Sequence, residues 1–305
     1  MNQIPSSPNR HRLAIIGEGP NDDDAGQPFS SSSGRLIPKL LSLLGIPMNQ
    51  VFLGFVSTKR TFQYVQQISD EAVIKGTAQL REDLAKYKPN CCILLGDLAN
   101  RVFGGEHNAR KMRGTVFLSP YFKYKCLTTL DPWVVMKDYK SYVPMSFDFV
   151  KAKEQSLFPD FSPPFRDLRS RPLFSALVHD LEQIIQHKPK IAFDLEGYPN
   201  QTGITCYSIA PTTSEAFIVP FRNMDGSPYW SEDEEVILWD YTIKILSDPD
   251  IKKVAQNAMY ELFVFAWRHK ILVRGLVEDT MFKMWEIFSE LPKGLDFINS
   301  IFGEE

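Results

Sequence analysis

Apolar residues along this chain fall into two alternating rhythms. Short continuous runs, "RLAIIG" (12–17), "VFLGFV" (51–56) and "CCILLG" (91–96), predict buried strands. Between them, "SGRLIPKLLSLLG" (33–45) repeats its leucines at helical spacing and stops at a glycine. "SDEAVIKGTAQLREDLAKYK" (69–88) predicts an amphipathic helix with Ser69 as N-cap and acidic residues in its first turn. The region 115–130 supplies one or two more strands and 145–156 a last helix. This βαβα order predicts a parallel sheet with helices on its faces. Ligands of such sheets sit beyond the carboxyl ends of the strands, here the loops after Gly17, Val56, Gly96 and Thr129.

The pattern then breaks. "FPDFSPPFRDLRSRP" (158–172) has no period and predicts a linker. A helix follows, "LFSALVHDLEQIIQHK", and then three strands near 190–196, 203–210 and 215–221. "SEDEEVILWDYTIKIL" opens with a capping box, Ser231 with Glu234 three residues on. "IKKVAQ" predicts a strand, "NAMYELFVFAWRHK" a helix capped by Asn257, and "LVEDTMFKMWEIF" a strand running into a helix. The whole reads as two α/β domains: 1–157 with a parallel sheet in an αβα arrangement, the linker 158–172, and 173–305 with a mixed sheet.

One of these strands carries chemistry. In "IAFDLEG", Ile191, Phe193 and Leu195 point to one face and Asp194 and Glu196 to the other. Two readings fit that alternation: an exposed polar face, or a rigid pair of metal-binding carboxylates.

Composition bounds the choice. At 305 residues, 44% hydrophobic and 23% charged, the chain has apolar material for two cores. No apolar run approaches the ~20 residues that cross a bilayer, and the polar start "MNQIPSSPNRHR" carries no apolar signal region, so the expected address is cytoplasmic, with no membrane partner. Cys91, Cys92, Cys126 and Cys206 show no CxxC spacing; the adjacent Cys91 and Cys92 are expected to face opposite ways in a core. The net charge of −3 hides an asymmetry, a balance of +5 over residues 1–160 and −8 over the rest. In the basic half, Arg110, Lys111, Arg113, Lys123 and Lys125 interleave with Tyr121, Phe122 and Tyr124. They could track a nucleic-acid backbone or form a solvated surface.

From about 173 onward, the strand order and its motifs resemble the DnaQ-like 3'–5' exonuclease domain, and more narrowly the proofreading domain of phage-type family A DNA polymerases. The motifs are Asp194-x-Glu196 on the first strand, Asn257 to Glu261 opening a helix after a short strand, and Asp279-Thr280-Met281 at a strand end. "LPKGLDFINSIF" resembles the family's next helix. The resemblance implies a ribonuclease H-like fold, a single-stranded DNA 3' end as substrate and two Mg²⁺ or Mn²⁺ ions ~4 Å apart. Asp194, Glu196 and Glu261 would be the catalytic metal ligands and Asn257 a substrate-binding residue. Glu261 stands where the family has aspartate, and Asp279 is expected to cap the helix from Thr280, with metal ligation as the alternative. The family's last motif, Tyr-x-x-x-Asp, is not reached by Glu305, so the resemblance implies either a fragment of a polymerase from a bacterial or phage-infected cell, the favoured expectation, with a polymerase domain downstream, or an incomplete site.

The first half offers "IIGEGPNDDDAGQPFSSSSGRLIPKLLSLLGI" (15–46). No G-K-[ST] follows Gly17 and Gly19, and Asp22 breaks GxGxxG. Through Gly17, Glu18, Pro20, Gly26, Pro28, Phe29 and Gly34 it resembles the first motif of family 4 uracil-DNA glycosylases. "CCILLGDLANRVFGG" is similar to that superfamily's third strand and helix. The resemblance implies a pocket of Glu18, Phe29 and Asp131, with Phe29 stacking on a flipped base. Asp131 replaces the family's histidine, and an ionised carboxylate opposes charge growing on a departing base. The four iron–sulfur cysteines are also missing. The expected state is therefore an inactive glycosylase-like DNA-binding domain without an iron–sulfur cluster. The alternatives are an active uracil glycosylase, or a chain that only binds DNA or docks in a replisome.

Overall fold

A computed structural model describes residues 11–21, 24, 28–59, 69–197 and 203–303. Gly26 and Asp22 of the first motif lie outside the described residues. The chain divides into two compact units, 1–163 together with 296–305, and 164–295.

The first unit opens with β1 (Leu13–Gly17), α1 (Leu36–Leu43), β2 (Phe52–Phe55), α2 (Glu71–Tyr87) and β3 (Cys91–Leu95). The short helices α3 (Asp97–Val102) and α4 (Ala109–Met112) follow, then β4 (Val116–Leu118), β5 (Lys125–Thr129), α5 (Pro132–Lys137) and α6 (Tyr142–Gln155). The sheet order is β2-β1-β3-β5-β4, parallel except for β4. β1, β3 and β5 are buried along their whole lengths, as strands covered on both faces must be. Cys91 packs into the core on one face and Cys92 into the core on the other. Helix α2 is not capped by Ser69; its N-cap is Asp70, with no side-chain cap bond.

Of the basic cluster, Arg110, Lys111 and Lys123 are exposed, whereas two cations are turned inward. Arg113 and Lys125 are buried, 5% and 1% exposed. Lys125 donates through Nζ to the Phe158 and Asp160 carbonyls. Arg113 Nη2 pairs with Asp148 Oδ1 at 2.8 Å, and Asp148 Oδ2 accepts the Thr129 hydroxyl at 2.6 Å. These cations are consumed by internal acceptors because the sheet places them under α6 and the 158–160 segment rather than at the surface.

The second unit contains β6 (Asp167–Arg169), α7 (Phe174–His187), β7 (Ile191–Gly197), β8 (Ile204–Ala210), β9 (Glu215–Pro220) and α8 (Glu232–Ser247). It continues through β10 (Lys253–Ala255), α9 (Met259–His269), β11 (Leu276–Asp279) and α10 (Thr280–Ile287). Its sheet order is β11-β10-β7-β8-β9-β6. β8 runs antiparallel to both β7 and β9, while β10 is parallel to β7 and β11 to β10, so the sheet is mixed. Part of the stretch 158–172 is ordered, because β6 pairs in parallel with β9 and covers an edge that would otherwise be open. The capping box of Ser231 and Glu234 opens α8. Behind the sheet, the buried Tyr207 hydroxyl donates to Thr242 Oγ1, which in turn donates to the Leu238 carbonyl.

The last helix, α11 (Leu295–Phe302), clusters from Asp296 onward with the first unit. Ser300 Oγ accepts from Arg113 Nη1 at 2.5 Å, its carbonyl accepts from Lys151 Nζ, and Phe297 lies 5.4 Å from the Arg113 guanidinium. The apolar and acceptor groups of this helix thus close over a buried cation.

Candidate functional site

Strand β7 shows the alternation the sequence predicts: Phe193 and Leu195 are 3% and 4% exposed, while Asp194 and Glu196 are exposed. The antiparallel register sets Asp194 opposite Ser208 and Glu196 opposite Cys206. Directly paired residues share a face, so two carboxylates, a hydroxyl and a thiol form one polar square. The sequence does not reveal Ser208 and Cys206 as neighbours, because that requires the register. The Cys206 thiol is pushed up, mainly by burial and also by the charges of Glu196 and Asp194.

Glu261 sits in the first turn of α9 and is 3% exposed. Its Oε2 has no hydrogen-bond partner among the described residues. Burial pushes its carboxyl up to about 7, and the nearby charges of Asp194 and Asp279 raise it further. A buried acceptor without a donor is costly, so it points to a missing partner. Together with Asp194 it offers the hard oxygen donors that Mg²⁺ or Mn²⁺ takes. Among the described residues, no three His, Cys, Asp or Glu side chains converge closely enough to hold an ion. Carboxylate oxygens are the donors a divalent cation takes; Asp194 is near enough to Glu261 for its charge to act on it, and Glu196 follows Asp194 by two residues on the same strand.

Asn257 is not the cap of α9. It takes a left-handed backbone, φ 59°, and the N-cap is Ala258. The acceptor is Asp279, whose Oδ1 takes the Asn257 N–H at 3.1 Å and whose Oδ2 takes the Ala258 N–H at 2.8 Å. Asp279 Oδ1 also accepts from Met281 N–H at 2.8 Å, capping α10 as the sequence suggests. A single carboxylate therefore starts two helices, which parallel β10 and β11 make possible by ending side by side. Asn257 is exposed beside this start, with its side chain free of the helix.

In the first unit, a cavity of about 480 Å³ lies at the carboxyl ends of the strands. It gathers the three expected pocket residues, Glu18, Phe29 and Asp131, together with Phe55, Arg110, Trp133 and Lys137. Phe29 takes a left-handed backbone, φ 60°, and lies 4.9 Å from Phe55, ring to ring. Gly34 allows this bend, since a Cβ there would fall 2.5 Å from the Phe29 backbone. Glu18 Oε1 accepts the Leu98 N–H at 2.9 Å, and Asp131 Oδ1 accepts the Trp133 N–H at 2.8 Å, capping α5. Burial pushes Asp131 up to about 6, and the Glu18 charge adds to the rise.

Residues 5–147 match the Uracil DNA glycosylase superfamily, so the first unit is uracil-DNA-glycosylase-like. Among solved structures, the chain is similar to the catalytic core of RRP6 from Trypanosoma brucei, with 18% identity over 47% of this chain and 38% of that one, at a TM-score of 0.35. It is also similar to the EXD2 exonuclease domain soaked in Mg, with 15% identity over 44% of this chain and 69% of that one, TM-score 0.30. The Trypanosoma brucei RNase D–GMP complex aligns at 15% identity over 37% of this chain and 33% of that one, TM-score 0.28. The chain thus spans well under half the length of the first of these proteins. No helix among the described residues is long and apolar enough to cross a membrane.

Proposed function

We propose that the second unit is a metal-dependent 3'–5' exonuclease acting on single-stranded DNA ends, in the proofreading region of a DNA polymerase. The first unit is its glycosylase-like companion, which contacts DNA without excising uracil. The observation that carries the nuclease reading is Glu261: a carboxylate closed off from water, with a bare oxygen, under the influence of the Asp194 charge. A purely structural strand face gives no reason to bury an unsatisfied acid beside it.

Asp194, Glu196 and Glu261 would hold the cations. When bound, divalent metals supply Lewis-acid activation of water and stabilisation of the leaving oxygen. The protein's own part is positioning. β7 fixes two carboxylates rigidly on one strand face, and Asp279 anchors the helix start that carries Glu261.

The reading is tested by digesting 3'-labelled single-stranded DNA with Mg²⁺ or Mn²⁺. Asp194→Ala should cost more than ~100-fold in rate, as loss of a metal-binding carboxylate does. Cleavage that survives Asp194→Ala would overturn the assignment. A second reading has the chain bind DNA without cutting it. That reading expects salt-sensitive binding and no metal-dependent cleavage.

A further inference from the structure

The outer face of α9 carries a row of aromatic rings that the fold leaves uncovered. Tyr260, Phe263 and Trp267 are 46%, 57% and 67% exposed. At i, i+3 and i+7 they share one helical stripe, away from the side on which Val264 and Phe265 enter the core. The Phe263 and Trp267 rings lie nearly parallel, 7° apart, with centroids 6.2 Å from each other. The stripe starts at the candidate site, because a Cβ at Gly197, the residue after Glu196, would stand 3.5 Å from the Tyr260 hydroxyl. Trp267 follows Glu261 along the same helix, ~9 Å further down its axis at 1.5 Å per residue.

Exposed rings in such a row mark a surface that something covers, and the local charge says what. Residues 262–277 hold Arg268, Lys270 and Arg274 and no aspartate or glutamate, although the chain from 161 onward has a balance of −8. Lys270 closes the stripe. Its Nζ lies 5.3 Å from the centroid of the Trp267 ring and donates to the Trp267 carbonyl at 2.7 Å. An ammonium has three N–H donors, so two remain for an anion. Flat apolar rings ending in a cation match a polyanion that itself carries flat apolar groups. A single strand of nucleic acid is such a polymer, whereas a duplex turns its base faces onto one another and offers only phosphates. We propose that Phe263, Trp267 and Lys270 form a platform that holds the single strand behind the end being cleaved, its bases against the two rings and a phosphate on Lys270. On the exonuclease reading, on which this proposal rests, the strand leaves the candidate site along this face.

The test is fluorescence anisotropy of the full chain with a 5'-labelled oligothymidylate of about ten nucleotides, in EDTA so that binding is read without cleavage. Trp267→Ala should weaken binding at least about fivefold, as loss of one base–aromatic stack does, and Trp267→Phe should recover most of it. Lys270→Ala should lower the slope of log affinity against log salt by about 0.7, one phosphate contact of a single strand. A duplex of the same length should be indifferent to Trp267→Ala. With Mg²⁺, Trp267→Ala should raise KM for the single strand at unchanged kcat, since the platform lies away from the reacting atoms. Circular dichroism checks that each variant folds. The proposal is overturned if Trp267→Ala binds the single strand as tightly as the wild type does, or if it weakens the duplex equally. A wild-type chain that sediments as a dimer, and a Trp267→Ala chain that does not, would make this face an interface between copies and overturn it as well. A chain that cuts DNA but fails the anisotropy test overturns the platform alone. One that binds through Trp267 without metal-dependent cleavage overturns the exonuclease reading alone.

Discussion

Asp148 in the first unit and Glu261 in the second are both buried carboxylates, and the two are treated in opposite ways. Asp148, in the first unit, is fully enclosed and fully partnered: Arg113 takes one oxygen and Thr129 the other. Glu261, in the second, is 3% exposed with a bare Oε2. Burial raises both acids, Asp148 to about 6 and Glu261 to about 7, but the charges of Arg113 and Lys151 pull Asp148 back while those of Asp194 and Asp279 push Glu261 further. Asp148 has both oxygens partnered, whereas Glu261 keeps one oxygen bare, which is costly for a buried group.

This contrast can be broken most forcefully at Asp148. Removing it strands the Arg113 cation in the core, so Asp148→Ala should cost about 3–5 kcal/mol of stability by urea denaturation. A loss below 1 kcal/mol would mean that the pair is solvated and the comparison unsound.

Glu261 should behave in the opposite sense. Its folded value of about 7 lies above the ordinary 4.5, so between those values the folded state holds more protons than the unfolded state. Its contribution is therefore favourable at low pH and is lost as pH rises toward 7 and beyond. In EDTA at pH 8, Glu261→Gln should raise stability by up to roughly 3 kcal/mol and flatten the pH dependence across 5–8. Destabilisation at pH 8 would show that Glu261 has a structural partner.

The smallest effect is expected at Asp279, an acid that is neither buried nor orphaned. Asp279→Ala should cost about 1–2 kcal/mol by removing caps from two helices at once. Asp279→Asn should recover most of that loss. If both variants reduced cleavage as strongly as Asp194→Ala, Asp279 would belong with the metal ligands instead.

Much of this was legible in the sequence. The runs 12–17 and 91–96 are buried strands because continuous apolar residues need cover on both sides, and β7 alternates because only one of its faces is packed. The trio Glu18, Phe29 and Asp131 does share one cavity, since Glu18 and Phe29 lie on the loop after β1 and Asp131 on the loop after β5. What composition could not reveal is where a charge finds its partner. Arg113 and Lys125 read as surface cations because their acceptors lie 35 residues away, at Asp148 and Asp160 respectively. Asn257 reads as a cap because its type is right, yet the cap comes from Asp279, 22 residues further along the chain.

The docking of α11 also sets an order in time. Arg113 waits for Ser300, a partner 187 residues later in the chain. During synthesis, the first unit therefore emerges with its buried cation still lacking one acceptor, while the second unit, drawn from the continuous stretch 164–295, has every residue it needs before the first is finished. The portion made first is completed last.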